Sequence, residues 1–280
     1  MERYLREKYN PDGSILRQHQ LKMLDILIII DRICKKHGIK YWISDGTLLG
    51  AVRHGGFIPW DDDLDIQMMR KDFKHFIKII SEELPENLAL QTHKTDKGYV
   101  APYAKIRELH STITEFHSND VNYKYKGIYI DVFPLERCSK IFTRIADFMH
   151  THLYKVSHVR GGQMRYAYVD SIFKITKGIY SLFRGIDSIF VKSGKCTFTY
   201  GSCFGYHNFV DEDIMPLSTI EFEGYTFNAP HVPETVLKKQ YGNYMDLPAE
   251  EDRMTHTLSV EFKVSSINSI YPLVSDSRTL

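Results

Sequence analysis

The chain has no long apolar run. No stretch of its 280 residues approaches the roughly 20 consecutive apolar residues that a membrane-spanning helix needs. Its opening residues, MERYLREKYN, are charged and hold no apolar export segment, so a cytoplasmic protein is expected. A charge excess is missing too: 36 Lys and Arg face 35 Asp and Glu, a formal net charge of +1. General nucleic-acid binders carry a basic surplus, so no nucleic-acid partner is expected. Cysteine is scarce, and Cys34, Cys138, Cys196 and Cys203 form no Cys-x-x-Cys pair or repeated spacing. That usage argues for core thiols in a reducing compartment rather than disulfides or zinc ligands. Repeats and low-complexity linkers are absent, and 43% hydrophobic content can bury one large core or two modest ones.

Against these absences, one segment stands out. Residues 41–66 read YWISDGTLLGAVRHGGFIPWDDDLDI. Trp60 precedes the acids, and Leu64, Ile66 and Met68 interleave with them, the pattern of a half-buried strand rather than a solvated acidic loop. Strand side chains alternate faces, so Asp63 and Asp65 emerge on one face, roughly 7 Å apart at the backbone. Two carboxylates that close repel unless a hard cation or water lies between them. An EF-hand would use Asp61, Asp63 and Asp65 as its first three ligands, but Gly at position six and Glu at position twelve are replaced by Ile66 and Asp72. A second apolar run, Gly127–Phe133, carries Asp131 alone. Taken singly, Asp131 is as readily a satisfied structural carboxylate as a ligand; beside the first motif, a third metal ligand is the better reading.

Ahead of the acids, Ile39–Ser44 reads as a short strand that runs through Gly46-Thr47-Leu48-Leu49-Gly50 into a helical pattern. Such a turn lets backbone N–H groups approach a phosphate, and the helix N-terminus adds a favourable dipole. Ser44 and Thr47 offer hydroxyls, and Arg53 and His54, about two turns on, are placed to reach outer phosphate oxygens. The glycines match neither the Walker nor the dinucleotide pattern. Their weight comes from paired acids within twenty residues, which together describe a phosphate cradle facing a metal.

The wider pattern is α/β (α+β): a catalytic core over 1–137, a helical insertion over 138–200 suited to contacting an acceptor or a membrane surface, and a 201–280 segment packing back on the core. Helices are expected over Ser14–His37, closed by Gly38, over Lys71–Leu84, closed by Pro85, and over Pro233–Tyr241. Ala89–Thr92, Tyr99–Leu109 and Thr219–Asn228 read as extended. Lys105 and Arg107 share a face and point either to phosphate or, on an edge strand, to solvent. Ile141–Val159 and Ser171–Lys192 read as helices. The second places Ile172, Ile175, Ile179, Leu182, Phe183, Ile186 and Phe190 along one side, with Lys174, Lys177, Arg184 and Lys192 among them. Core packing is the ordinary reading, and peripheral membrane contact through 171–192 is the other. Glu250, Glu251, Arg253 and His256 read as surface charge.

The string GTLLGAVRHGGFIPWDDDLDI resembles the signature of the LicD family, to which fukutin-related proteins are also similar. IDVFPLE resembles its second carboxylate block, and FEGYTFNAP followed by LKKQYGNYMDLPAEEDRMTH resembles its C-terminal pattern. The resemblance implies a nucleotidyltransferase-like mixed sheet flanked by helices. It implies transfer of a phosphorylated alcohol, typically phosphocholine, from a CDP-linked donor such as CDP-choline to a hydroxyl of a surface-glycan precursor that can be lipid-linked, at the inner face of the membrane. By position, Asp63, Asp65 and Asp131 match the metal ligands, and Gly46 and Thr47 match the turn that holds donor phosphates. Asp61 and Asp62 belong to the motif, and Asp45 receives no role. The chemistry fits: Mg²⁺, or Mn²⁺, would neutralise the pyrophosphate, Arg53 or Lys105 would hold remaining phosphate oxygens, and Asp61 or Asp131 would serve as base. An NMP-adding nucleotidyltransferase using an NTP, and a non-catalytic nucleotide-binding scaffold, are the alternatives. Among the aromatics, Tyr123, Tyr125, Tyr129 and Phe133 are the first candidates for an ammonium cage, with packing as their ordinary role.

Overall fold

The computed structural model describes residues 2–115, 122–157, 162–191, 194–253 and 255–263. Two helices open the chain, α1 (Glu2–Tyr9) and α2 (Ile15–His37). The Ser14 hydroxyl accepts from the Arg17 amide and Gly38, at φ 64°, ends α2, so both caps fall where the sequence places them. Met23, Leu27, Ile30 and Cys34 recur at helical spacing and are buried.

The catalytic half follows as β1 (Trp42–Ile43), α3 (Asp45–His54), β2 (Asp65–Met69), α4 (Arg70–Glu83), β3 (Leu88–Gln91), β4 (Ala104–Glu108), β5 (Ser111–Glu115) and β6 (Tyr129–Glu136). The main sheet runs β1-β2-β6-β4-β3. β2 and β6 are parallel and their other neighbours antiparallel, so the sheet is mixed. Every residue of β6 is buried, as the central position of this apolar run requires. Two expectations change here. The strand read over Ile39–Ser44 shrinks to two residues. Moreover, β4 lies between β6 and β3, so Lys105 and Arg107 are buried inside the sheet and the solvent-facing reading is wrong.

Next come α5 (Lys140–Ser157), α6 (Gln163–Phe190), β7 (Lys195–Phe198), β8 (Phe209–Val210), α7 (Asp211–Ile214), the hairpin β9 (Ser218–Phe222) and β10 (Tyr225–Ala229), α8 (Pro233–Tyr241) and β11 (Thr257–Phe262). β7 pairs with β6, so α5 and α6 form a helix pair inserted between two neighbouring strands. The ends expected at Val159 and Lys192 lie outside the described residues, and α6 begins eight residues before Ser171. Phe142 and Phe183 stack between the helices with centroids 4.4 Å apart. Arg184 on α6 donates from Nε and Nη2 to Glu136 on β6 at 2.6 and 2.8 Å, and Arg70 stands 3.0 Å from the same carboxylate. The apolar stripe read on α6 does not bury as a unit: Ile175, Leu182 and Phe190 are exposed.

The C-terminal segment returns to the core. At the β9–β10 turn Glu223, at φ 53°, accepts from Arg17 Nη1 and Nη2 at 3.0 and 2.6 Å and from the Phe57 amide at 3.1 Å. This ties the hairpin to α2 and to the loop leading into the acids. β11 pairs antiparallel with β5. All four thiols are free; Cys34, Cys138 and Cys196 are buried as expected, whereas Cys203 is exposed.

Candidate active site

Strand register builds the site. Asp65, the first residue of β2, stands opposite Asp131 on β6, and Asp131 stands opposite Lys105 on β4. Neighbouring strands lie about 4.8 Å apart, so the three side chains rise together from one face of the sheet. Lys105 Nζ donates to Asp131 Oδ2 at 2.9 Å and sits 3.4 Å from the centroid of the Tyr129 ring. Asp131 Oδ1 is buried and has no hydrogen-bond partner among the described residues. Burial raises the Asp131 carboxyl to about 6 despite Lys105. Asp65 is held well above the usual carboxylate range by burial and by the charges of Asp45, Asp63, Asp131 and Asp61. β2 begins at Asp65, so Asp63 lies in the lead-in; even so Leu64, Ile66 and Met68 are buried while Asp61, Asp63 and Asp65 are partly open, as alternation predicts.

The first turn of α3 forms the opposite wall. Its leading amides have no acceptor within the helix and carry the positive end of its dipole. The left-handed residue here is Asp45, at φ 49°, and not a glycine. Its carboxylate accepts from Gln67 Nε2 and Gln240 Nε2, each at 2.8 Å. Asp45, given no role from sequence, is therefore part of the acid cluster. Gly46 is needed for close approach: a Cβ there would stand 2.9 Å from Asp61 Oδ2. Asp61 is raised to about 7 by burial and by the neighbouring Asp63 and Asp62. Thr47 Oγ1 accepts from the Asp65 amide at 2.8 Å, locking the helix start onto β2.

Two further residues take roles the sequence did not assign: Asp62, counted only as part of the motif, and His256, read as surface charge. Asp62 is buried and accepts from the amides of His256 and Thr257 at 2.8 and 2.6 Å. Burial pushes its carboxyl up, but bonds from His256 and Thr257 hold it down at about 2. His256 Nδ1 lies 3.3 Å from Asp62 Oδ1 and 2.9 Å from Asp63 Oδ2, and these hydrogen bonds raise the imidazole to about 11. His256 is thus an imidazolium at the acids rather than ordinary surface charge. Arg253, read the same way, lies 5.0 Å from the Trp60 ring. Nothing local in the sequence links residue 62 to residue 256; the contact comes from β11 returning to β5. Arg53 is placed otherwise than expected: its Nη1 donates to the carbonyls of Tyr244 and Asp246 at 3.1 and 3.2 Å, which braces the tail from the far end of α3. Tyr129 already has two cations on its ring, Lys105 at 3.4 Å and Arg107 at 4.2 Å from the centroid.

The donor set suits a hard divalent cation. Asp65 and Asp131 face each other across neighbouring strands, Asp63 adjoins them, and so many like charges beside an Oδ1 without a partner among the described residues call for positive charge beyond that of Lys105. Asp61, Asp62, Asp63 and His256 also bring ligand atoms within 4.8 Å of one another. In that group Asp62 is committed to the tail amides and His256, itself cationic, stands 2.9 Å from Asp63; Asp65 and Asp131, facing each other in register, could add carboxylate oxygens beside Asp63.

A family model described as LicD/FKTN/FKRP, nucleotidyltransferase domain, matches residues 38–161, from β1 through both carboxylate blocks into the insertion. The lipopolysaccharide cholinephosphotransferase LicD of Haemophilus influenzae is 28% identical over 270 residues, covering 86% of this chain and 95% of that protein. Over residues 38–161 this chain is similar to the LicD family's nucleotidyltransferase domain. The human ribitol 5-phosphate transferase FKRP is 51% identical over 35 residues, covering 12% of this chain and 7% of its own. The uncharacterized protein RP689 of Rickettsia prowazekii is 47% identical over 76 residues, 27% of each chain. The mixed sheet and its flanking helices are those of a nucleotidyltransferase-like α+β fold, and the LicD match spans Asp61, Asp63, Asp65 and Asp131 together.

Proposed function

We propose that this protein is a LicD-family enzyme that transfers a phosphorylated alcohol, phosphocholine first among the candidates, from a CDP-linked donor to a hydroxyl of a cell-surface glycan precursor. The observation that carries this reading is the facing pair Asp65 and Asp131, with Asp63 and Asp61 beside it, under the amide end of α3. The named activities of the Haemophilus and FKRP relatives, a cholinephosphotransferase and a ribitol 5-phosphate transferase, support the reaction class.

Asp63, Asp65 and Asp131 would hold Mg²⁺, or Mn²⁺, which supplies Lewis-acid neutralisation of the diphosphate. In this reading the α3 amides and Lys105 stabilise phosphate oxygens. The acceptor hydroxyl attacks the β-phosphorus; a new O–P bond forms, the anhydride bond to the α-phosphate breaks, and CMP leaves. Asp61 would take the hydroxyl proton in this reading, supported by a carboxyl raised to about 7, near a working pH. No described helix is long and apolar enough to cross a membrane. The acceptor in this reading is lipid-linked and reached from the cytoplasmic side, with the outward surface of α5 and α6 resting on the bilayer.

The test is incubation with Mg²⁺ and a panel of CDP-alcohols, following CMP release and product mass. CMP plus a glycan heavier by one phosphoalcohol is the expected result. Pyrophosphate release from an NTP, with a nucleotidylated acceptor, would replace this assignment with an NMP-adding one.

A further inference from the structure

A cavity of about 580 Å³ opens beside the acids, lined by residues that include Tyr103, Thr151, Tyr154, Lys155, Ser202 and Phe204. Its place follows from strand periodicity. Phe133, two residues after Asp131 on β6, continues the face that carries the Lys105–Asp131 pair, about 7 Å further along, and Tyr103, just ahead of β4, packs against it. Their ring centroids are 4.7 Å apart, and Phe204 stands 5.8 Å from Tyr103 and 5.4 Å from Phe133. The cavity therefore starts one side-chain step from Asp131. Ser202 is 7% exposed, and its Oγ is buried without a partner among the described residues. The hydroxyl of Tyr99, whose ring meets Tyr103 edge-on at 6.1 Å, is likewise buried and unpartnered among them. Buried hydroxyls left in this way want a polar ligand or water.

The lining decides among ligands. Lys155 borders the cavity and its ammonium group opposes a bound quaternary ammonium, whereas Lys105, 6.0 Å from the Tyr103 ring, is paired with Asp131. The volume also falls within the range of about 300–1,000 Å³ for drug-sized ligands, well above what a trimethylammonium group fills. Aromatic faces with Ser202 and Thr151 hydroxyls suit a sugar ring, which offers an apolar C–H face and several hydroxyls. We propose that this cavity is the acceptor-sugar subsite, where the ring rests on Tyr103 and Phe204 and its hydroxyls meet Ser202 and Thr151. The inference rests on the transferase reading, because it places the accepting hydroxyl one step from the acids. It also assigns work to the inserted helix pair: Thr151, Tyr154 and Lys155 all come from α5.

The test separates the subsite from the donor chemistry. Saturation-transfer NMR on the full chain, with lactose, cellobiose and chitobiose as probes, should show ring-proton contact with at least one disaccharide. Phe204→Ala, at the 44% exposed rim residue, should weaken that binding about fivefold to tenfold, the worth of one aromatic contact. In the CDP-alcohol assay the same variant should raise the KM for the acceptor by a similar factor and leave the donor KM within twofold. Signal from no disaccharide, or a Phe204→Ala effect on donor KM instead of acceptor KM, overturns the subsite. Disaccharide binding that is lost in Phe204→Ala, without turnover of any CDP-alcohol, keeps the subsite and removes the donor reading.

Discussion

Individual carboxylates are where the site's electrostatics can be tested. Asp61 titrates near 7 in the folded chain and about 3.9 unfolded, so between those values the native state binds the extra proton. Stability of the metal-free protein therefore falls as pH rises from about 4 to 7, since the unfolded chain then binds fewer protons. Asp65 and Asp131 are shifted the same way and add to the slope. Asp61→Asn should flatten this slope and raise the metal-free melting temperature at pH 8 by about 2–4 °C, the shift expected for 1 kcal/mol in a chain of this size. Thermal melts in a chelator across pH 4–8 read it directly, and an Asp61→Asn variant no more stable than wild type at pH 8 counts against the buried-charge account. Asp63→Asn and Asp65→Asn should each lower turnover about 100-fold or more with Mg²⁺ present; normal turnover in both would remove the metal mechanism. Asp63, Asp65 and Asp131 were legible in the sequence because period-two alternation and lone acids in apolar runs are local signals. Asp45, Gln240 and His256 were not, since their contacts join segments more than 190 residues apart and depend on how the tail returns. Lys105 was visible as a phosphate-contacting candidate, but its pairing with Asp131 is a matter of register, which no single strand encodes.

Elements repeat this division between local and long-range information. α2, α4 and α8 matched their sequence bounds closely because caps and spacing fix them; β1 shrank because only two residues of Ile39–Ser44 find a partner strand. The insertion is held by a contact no spacing rule suggests, Arg184 on α6 with Glu136 at the end of β6. Burial pushes the Glu136 carboxyl up, but Arg184 and Arg70 outweigh it and hold the carboxyl below its usual value. For such a depressed acid the stabilisation is fully present above its unfolded value, about 4.3, and is lost as pH falls through the folded one. Arg184→Ala leaves a buried carboxylate short of its main partner and should cost about 3–5 kcal/mol, whereas the paired change Arg184→Met with Glu136→Gln should cost much less. Urea titrations at pH 7 and pH 3.5 test both statements. The Arg184→Ala penalty should shrink at the lower pH as Glu136 takes up a proton, and an equal penalty at both values would show that the clamp is not electrostatic.

For the whole molecule, the open question is what meets the outward surface of the helix pair. Ile141, Phe148, Ile175, Leu182 and Ile189 are each more than 60% exposed there. The exposed charged residues described on these helices are Lys140, Arg144, Lys155, Lys174 and Lys177, all cationic, while Asp147 and Asp170 are partly covered and Asp187 is buried. On the membrane-contact reading, these apolar side chains and the cations Lys140, Arg144 and Lys177 would meet anionic lipid, while Lys174 is paired with Asp170 at 2.6 Å. Helices that carry an acceptor cavity on one side and a lipid-facing surface on the other would hold the active site at the height of a lipid-linked glycan. Each basic side chain near an anionic bilayer is worth about 1 kcal/mol, so Lys174→Glu with Lys177→Glu should weaken vesicle binding more than about tenfold. Phe148→Ser with Leu182→Ser should weaken it at high salt as well, because the apolar contribution is not screened. Co-sedimentation with vesicles containing phosphatidylglycerol, against pure phosphatidylcholine, measures this. Equal binding to both vesicles, or a paired lysine reversal without effect, would leave the surface to a protein partner and place the enzyme away from the bilayer.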